Sequence, residues 1–356
     1  MSTDITIYDI AKNFNVSPST VSRALKGHKS ISKKRTQEIQ AYAREKGFQV
    51  NSVAAKLRTQ KTHTLGVVVT WINQPFFASL ISGIESVAQE HGFHVIISQT
   101  HDQHDLEVQV VNNLFNSRVD GIIISLAIET ESFAHLEQFK NRNVPLVFVD
   151  RVPSAFKGDK VIIDNFQSAF IATEHLIKQG YKRIGHITAT GKLIFKQRLD
   201  GYKAALNKYG LDIDESIIAS APSLSEENSL AIARKLLTQE NRPDAIFAAI
   251  DSTAVITIQL AKEMGLNVPN DLGVVGFNND PISSVVDPQL TTISQPPVLM
   301  GKIAAEHVLN NKEHMSEVIT LDTELIVRGS SVRLTEGNSN GKDLSSKQFS
   351  SQDMGQ

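Results

Sequence analysis

From Leu65 onward the chain alternates between short apolar runs and longer amphipathic ones, and this restricts its fold more than any other feature. The runs LGVVVT (65–70), HVIISQ (94–99), GIIIS (121–125), PLVFVD (145–150) and VIID (161–164) are apolar at successive positions, as strands covered on both faces are. Helical runs at 77–91, 105–117, 131–142 and 166–179 lie between or after them, with Gly92 and Gly180 where helix ends favour glycine. The theme then repeats. RIGHIT (183–188), AIFAAI (245–250) and LGVVGF (272–277) alternate with helices at 197–209, 225–238 and 252–264. A helix at 296–310 and a strand, TLDTELIVR (320–328), come last and are expected to return across both halves. About eleven strands in roughly 270 residues are too many for one sheet, so the pattern predicts two doubly wound parallel α/β lobes.

Before residue 62 the character changes. Residues 7–25, IYDIAKNFNVSPSTVSRAL, read as a helix, a tight turn and a second helix. Ile10, Ala11 and Phe14 face inward on the first. Ser17 can cap the second and Pro18 falls at its first position, where a missing N–H costs nothing. Val21, Ala24 and Leu25 share one face of that helix, and Ser19, Ser22 and Arg23 share the other. A third helix, residues 33–46, is capped by Ser32 and ends at Gly47. A short helix with hydroxyls and an arginine on its free face suits the major groove of DNA; an ordinary helical hairpin with a solvated face is the other reading.

Charge favours DNA. Residues 1–61 hold 12 Lys/Arg against 4 Asp/Glu, while the remainder holds 24 against 34. A basic head on an acidic body fits a polyanion reader attached to something with a different task. Between them, NSVAAKLR (51–58) can form a helix, but one shorter than the ~12–15 residues an isolated helix needs in water. It is therefore expected to hold only when packed against something.

Other classes are disfavoured. The chain has no cysteine, no HExxH or other metal spacing among its 11 histidines, no GxSxG and no glycine-rich phosphate loop, so neither catalysis nor a metal or cofactor is expected. His101 and His104, beside Asp102 and Asp105, read as a solvated loop. There is no signal-peptide pattern and no apolar run of the ~18 residues that a membrane span requires, which points to the cytoplasm. Residues 336–356 are rich in Ser, Asn, Gly, Gln and Lys, are expected to be disordered, and carry no leucine heptads.

Head, short conditional helix and two-lobed body together resemble the lactose-repressor/galactose-repressor (LacI/GalR) family of bacterial transcription regulators. The residues that carry the resemblance are ITIYDIAKNFNVSPSTVSRAL, NSVAAKLR, VDR (149–151), DNFQSAFIATEHLIKQGYKRIGHI (164–187), RLDGYKAAL (198–206), LGVVGFNND (272–280) and LTTISQPPVLMGKIAAEHVL (290–309). It runs from about residue 5 to about 333 and implies periplasmic-binding-protein-like lobes. The domains then fall at 1–49 (helix-turn-helix head), 50–62 (hinge helix and linker), 63–162 with 292–321 (first lobe), 163–291 with 322–335 (second lobe) and 336–356 (tail). A solute-binding module without DNA affinity is the alternative for the body alone; the basic head argues against it.

The resemblance implies a homodimeric repressor on a pseudo-palindromic operator, one head per half-site, controlled by a carbohydrate-related effector between the lobes. Arg23 stands where the family has an arginine reaching into the major groove, for a guanine edge or a phosphate. Ser17, Pro18, Ser19 and Lys26 lie on the reading helix or its ends, and Thr6, Ile7, Tyr8, Ser22, Ser32 and Arg35 are expected at the DNA backbone. The family usually has Thr-Arg where this chain has Arg35-Thr36. In the hinge, Asn51, Ala54, Leu57 and Arg58 are expected in the minor groove, with Leu57 as a wedge between base pairs or, alternatively, a simple packing residue.

For the effector, the resemblance and the strand ends together nominate Trp71, Phe76, Phe77, Ser125, Asp150, Lys192, Arg198, Asp251 and Asn278. Arg198 is the expected effector anchor, the alternative being a helix-start arginine paired with Asp200. Trp71 can stack on a sugar or purine face or pack in the core. Asp150 can meet the ligand or pair with Arg151. Many sugar-binding members have Asp where this chain has Asn278 and Asn where it has Ile250, and Lys192 adds positive charge. These departures point to an anionic or only partly sugar-like effector, such as a sugar phosphate or acid.

Overall fold

A computed structural model describes residues 5–48, 61–153, 156–191, 193–310 and 316–333, and the chain divides into two compact units, residues 1–62 and 63–356. The expectations for residues 51–58, for Lys192 and for the tail lie outside the described residues.

The first unit contains three helices, α1 (Ile7–Asn13), α2 (Pro18–Leu25) and α3 (Lys33–Glu45). Each starts on a side-chain cap. Thr6 and Asp9 form a reciprocal capping box on α1, Ser17 accepts from the Thr20 N–H on α2, and Ser32 accepts from the Arg35 N–H on α3. Ile10, Ala11, Val21, Ala24, Ile39 and Ala43 are buried together, so three short helices close on one small core.

The second unit holds two six-stranded sheets. The first lobe runs β1 (Thr64–Val69), α4 (Pro75–Glu90), β2 (His94–Gln99), α5 (His104–Asn116), β3 (Gly121–Ile124), a short α6 (Glu137–Asn141), β4 (Leu146–Val149) and β5 (Asp159–Ile163). The second runs α7 (Asn165–Lys178), β6 (Ile184–Ala189), α8 (Leu193–Lys208), β7 (Ile218–Ala221), α9 (Glu226–Leu237), β8 (Ala245–Ala248), α10 (Asp251–Glu263), β9 (Gly273–Asn278) and β10 (Thr291–Ser294). The chain then returns to the first lobe with α11 (Pro297–Asn310) and β11 (Val318–Leu321), and ends in the second with β12 (Glu324–Ile326). Strand orders are β11-β5-β4-β3-β1-β2 and β12-β10-β9-β8-β6-β7.

Every pairing is parallel except β10 with β12. Parallel strands reverse through helices that cover the sheet faces, which explains the unbroken apolar runs of β1, β3 and β8.

Several elements differ from the sequence pattern. The helix expected over 131–142 is a 3₁₀ turn at Ala134–Leu136 followed by the five residues of α6. The preceding segment is drawn inward instead, because buried Glu107 accepts from the Ala127 N–H, the Thr130 hydroxyl and His135 Nε2. The final strand, expected as one piece over 320–328, is β11 in one sheet and β12 in the other, broken at Asp322–Thr323 where the chain crosses between lobes. Strands β7 and β10 have sequences, IASA and TTIS, too polar to stand out as apolar runs. Because β10 pairs with β9, residues 292–294 lie in the second lobe, and the middle crossing falls at Gln295–Pro296.

Two helix pairs pack at backbone distance. A Cβ on Gly83 of α4 would collide with the Val298 carbonyl of α11, and one on Gly301 of α11 with the Leu80 carbonyl of α4. In the second lobe, a Cβ on Gly201 of α8 would collide with the Phe166 carbonyl of α7. Gly201→Val should therefore force α7 and α8 apart and destabilise the protein by about 3 kcal/mol, at the upper end for overpacking. Urea denaturation checks this; an unchanged midpoint would show that the pair yields freely.

Candidate DNA interface and effector cleft

On the head, the free face of α2 presents Ser19, Arg23 and Lys26, all exposed, and Tyr8 on α1 is 71% exposed. Arg23 has no fixed role inside the head among the described hydrogen bonds and ion pairs, which leaves its guanidinium available to a base edge or phosphate. The hydroxyls of Ser17 and Ser19 stand 2.8 Å apart, so the cap and the expected reader share one network. Other expected contacts also serve the head itself. Thr6 donates to Asp9, and Ser32 caps α3. Arg35 donates from Nη2 to the Phe14 carbonyl at 2.6 Å and from Nη1 to Glu38 at 3.3 Å, so its guanidinium ties α3 to the end of α1.

In the second unit the carboxyl ends of parallel strands gather the expected effector residues. Arg198 is 2% exposed. It lies in the second turn of α8, which begins four residues earlier than the sequence pattern placed it. Its partner is not Asp200: Nε donates to Asn165 Oδ1 at 2.8 Å and Nη1 to the Ala249 carbonyl at 2.6 Å. The guanidinium lies 3.6 Å over the Phe277 ring. Burial pulls its pKa down to about 9, opposed by the charges of Asp150 and Asp251. It stays positively charged at neutral pH.

Asp150 ends β4 on the other lobe, in the left-handed region at φ 59°. Burial raises its pKa, and Arg151 and Arg198 pull it back down, so a carboxylate of the first lobe and a guanidinium of the second sense each other. Arg151 pairs with Asp102 and lies 3.9 Å from Asp150, within the first lobe.

The strand ends also hold buried polar atoms without a hydrogen-bond partner among the described residues. They are Thr70 Oγ1, Thr100 Oγ1, Ser125 Oγ and Arg151 Nε in the first lobe, and Thr188 Oγ1 and Gln295 Oε1 in the second. Buried polar groups are rarely left unpaired, which makes these strand ends the candidate site of the second unit.

The remaining expected residues divide. Trp71 is half-buried and meets His101 edge-on at 4.6 Å, so it belongs to the wall rather than the core. The 101–105 loop is correspondingly less solvated than its sequence suggested: Asp102 accepts from the Ile128 N–H, and His104 packs on His135. Phe76 and Phe77 are buried in the core cluster beneath the site. Asp251 is fully buried, and its carboxylate is committed internally, accepting from the Asp280 N–H at 2.7 Å and the Thr292 hydroxyl at 2.6 Å. It ties the loop after β9 to β10, and burial lifts its pKa to about 7. Asn278 accepts from Gln295 Nε2 at 2.7 Å. Thr100 and Gln295 were not singled out from sequence; Thr100 directly follows the HVIISQ run, whereas the strand before Gln295 is too polar to be read.

Among the described residues no group of three or more His, Asp or Glu is placed to hold a metal ion, and no helix is long and apolar enough to cross a membrane.

A helix-turn-helix head joined to two doubly wound lobes, with buried polar atoms at their strand ends, is the architecture of a DNA-binding transcription regulator. Comparison with known proteins gives the same class. Residues 6–51 match the model of bacterial regulatory proteins, lacI family, and residues 173–331 match a periplasmic binding protein-like domain. Catabolite control protein A of Priestia megaterium is 34% identical over 303 residues, covering 85% of this chain and 90% of that protein. The HTH-type transcriptional repressor CytR of Escherichia coli (strain K12) is 33% identical over 332 residues, covering 92% and 96%. The solved structure of a CelR transcriptional regulator–cellobiose complex superposes with a TM-score of 0.69 at 26% identity, covering 92% and 99%. The chain belongs to the lacI family of bacterial regulatory proteins, which are transcription regulators and not enzymes.

Proposed function

We propose that the chain is a homodimeric repressor whose hold on a pseudo-palindromic operator is set by a sugar or sugar derivative bound between its lobes. The observation that carries the reading is the set of unpartnered polar atoms at the strand ends, with the Arg198 guanidinium among them. A relative solved with cellobiose supports a carbohydrate-like effector. Arg198 offers its remaining N–H groups to a hydroxyl or anionic group, Trp71 offers a flat apolar face, and Ser125 and Asp150 complete the polar wall. Lys192 is assigned to the same site by its place after the RIGHIT run.

Self-association is supported by apolar side chains left uncovered. Ile96 and Ile97 are exposed on the edge strand β2, and Ile282 and Val285 in the second lobe are 44% and 76% exposed. On the DNA side, Ser17, Pro18, Ser19, Arg23 and Lys26 read the major groove, and Thr6, Ile7, Tyr8, Ser22, Ser32 and Arg35 meet the backbone. Asn51, Ala54, Leu57 and Arg58 enter the minor groove.

The test is gel-shift titration at two salt concentrations on an operator selected from random DNA, with and without sugars and sugar phosphates. Binding should weaken steeply with salt, and one compound should change it. Arg23→Ala should cost about 1–3 kcal/mol and relax preference at one base pair per half-site. A uniform loss over all sequences would instead make Arg23 a phosphate contact.

A further inference from the structure

The reading helix α2 is held differently at its two ends. At the first, the turn that leads into it is bonded to both other helices. The Val16 N–H donates to the Ala11 carbonyl at 3.0 Å, and Arg35 Nη2 donates to the Phe14 carbonyl at 2.6 Å. Ser17 then caps the helix itself. At the second end the chain turns at once through Gly27, φ 66°. The backbone bonds there stay local: the N–H groups of Lys26, Gly27 and His28 donate to the carbonyls of Ser22, Ala24 and Arg23. The Leu25 carbonyl takes no part in them.

One side chain reaches this end from another helix. Gln40 of α3 donates from Nε2 to the Ala24 carbonyl at 3.2 Å and to the Leu25 carbonyl at 3.4 Å. Carbonyls only accept, so the half-buried carboxamide must turn its NH₂ toward α2. Among the described residues, these are the only hydrogen bonds between the last turn of α2 and another helix.

The apolar core cannot replace them. Burial of Val21 and Ala24 with Ile39 and Ala43 decides which face of α2 turns inward. Apolar contact is non-directional, however, and resists a small roll about the helix axis only weakly. A helix is roughly 10–12 Å across with its side chains, so a roll of about 10° carries a surface group about 1 Å. A binding constellation has to be held to within roughly 0.5 Å. Ser19 leaves the first turn of α2, whereas Arg23 and Lys26 leave its second half and its end, and all three are exposed. The two carbonyls that Gln40 holds belong to the residues between Arg23 and Lys26.

We propose that Gln40 is a positioning residue for DNA reading. Without touching DNA it fixes the roll of the second half of α2, and so the point at which Arg23 and Lys26 meet the groove. This rests on the assignment of Ser19, Arg23 and Lys26 to the major groove made above. The role requires a donor. Methionine would fill the same space with none, and glutamate would set a carboxylate against two carbonyls at the negative end of the helix dipole.

The experiment is selection of operators from random DNA by the full-length chain and its variants, scored base pair by base pair. Ser19→Ala and Arg23→Ala first mark the positions that each half of α2 reads. Gln40→Met should lower preference about fivefold at the Arg23 positions, the loss of one hydrogen bond between neutral groups. It should leave the Ser19 positions intact, and leave the salt dependence of binding unchanged because no phosphate contact is removed. Gln40→Glu should lose more at the same positions. Gln40→Lys should restore them, its added charge strengthening binding to all sequences alike. Equal loss at every position would make Gln40 a contributor to head stability alone, and an unaltered profile would leave it no role; either result overturns the proposal. Gln40→Ser, polar but too short to reach α2, serves the same comparison if the methionine variant does not fold. If neither Ser19→Ala nor Arg23→Ala changes the selected sequence, the groove assignment itself falls and this proposal with it; a failure confined to the Gln40 variants overturns only the role of Gln40.

Discussion

Arg198→Leu is expected to abolish the effector response while leaving the head able to bind DNA. The guanidinium is buried, stacks on Phe277 and bonds Asn165 and the Ala249 carbonyl. Removing it would delete the charge-assisted bond proposed to the effector, about 1.5–3 kcal/mol, or roughly ten- to a hundredfold in affinity. It also strands two buried acceptors, each at a cost of about 1–3 kcal/mol to the fold. Arg198→Lys is expected to fail nearly as badly, because a lysine keeps the charge and loses the planar fork that satisfies both acceptors and stacks on the ring. Gel shifts with increasing sugar measure the response, and thermal melting measures the fold. A leucine variant with the wild-type response midpoint would remove Arg198 from the site.

Leu57→Ala is expected to lose operator bending and to lower specific affinity by about a hundredfold or more, while salt-dependent binding to random DNA persists. Specific sites are held some 10³–10⁷-fold more tightly than random DNA, and a minor-groove wedge exchanges a few kcal/mol of unstacking for extra wrapped surface. Lys56 and Arg58 remain to meet phosphates in the variant, so the non-specific component has no reason to fall. Gel phasing reads the bend directly, and an unchanged bend would assign Leu57 a packing role.

Much of the architecture could be read from residues because its signals are local. The Ser17 and Ser32 caps, and strands such as GIII at 121–124, declare themselves over a handful of positions. What escaped reading depends on partners far away in sequence. TTIS at 291–294 is polar in isolation and becomes a strand only by lying beside β9, with the Thr291 and Thr292 hydroxyls bonded to Arg328 and Asp251. The long final strand looked continuous because a crossing between lobes leaves no periodic mark.

The site divides in the same way. Asp150 directly follows a strand that a pattern can find, whereas Arg198, inside α8, is reached through the family resemblance. The internal duty of Asp251 could not be seen without Asp280 and Thr292 beside it, nor could the bond of Arg35 to Phe14, 21 residues away. Gln295 carried no signal, because the strand it follows is itself too polar to be read, and its unpaired oxygen shows only in the fold.

Neither lobe is a continuous stretch of chain: the first waits for β11 and the second for β12, both beyond residue 317. During synthesis from the amino terminus the three-helix head is therefore finished long before either half of its controller. A nascent polypeptide arrested anywhere between residues 50 and 317 would carry a complete basic DNA reader with no finished body to govern it. Regulation is thus the last property this molecule acquires as it is made, and a protein shortened at its carboxyl end should forfeit control before it forfeits its attraction to nucleic acid.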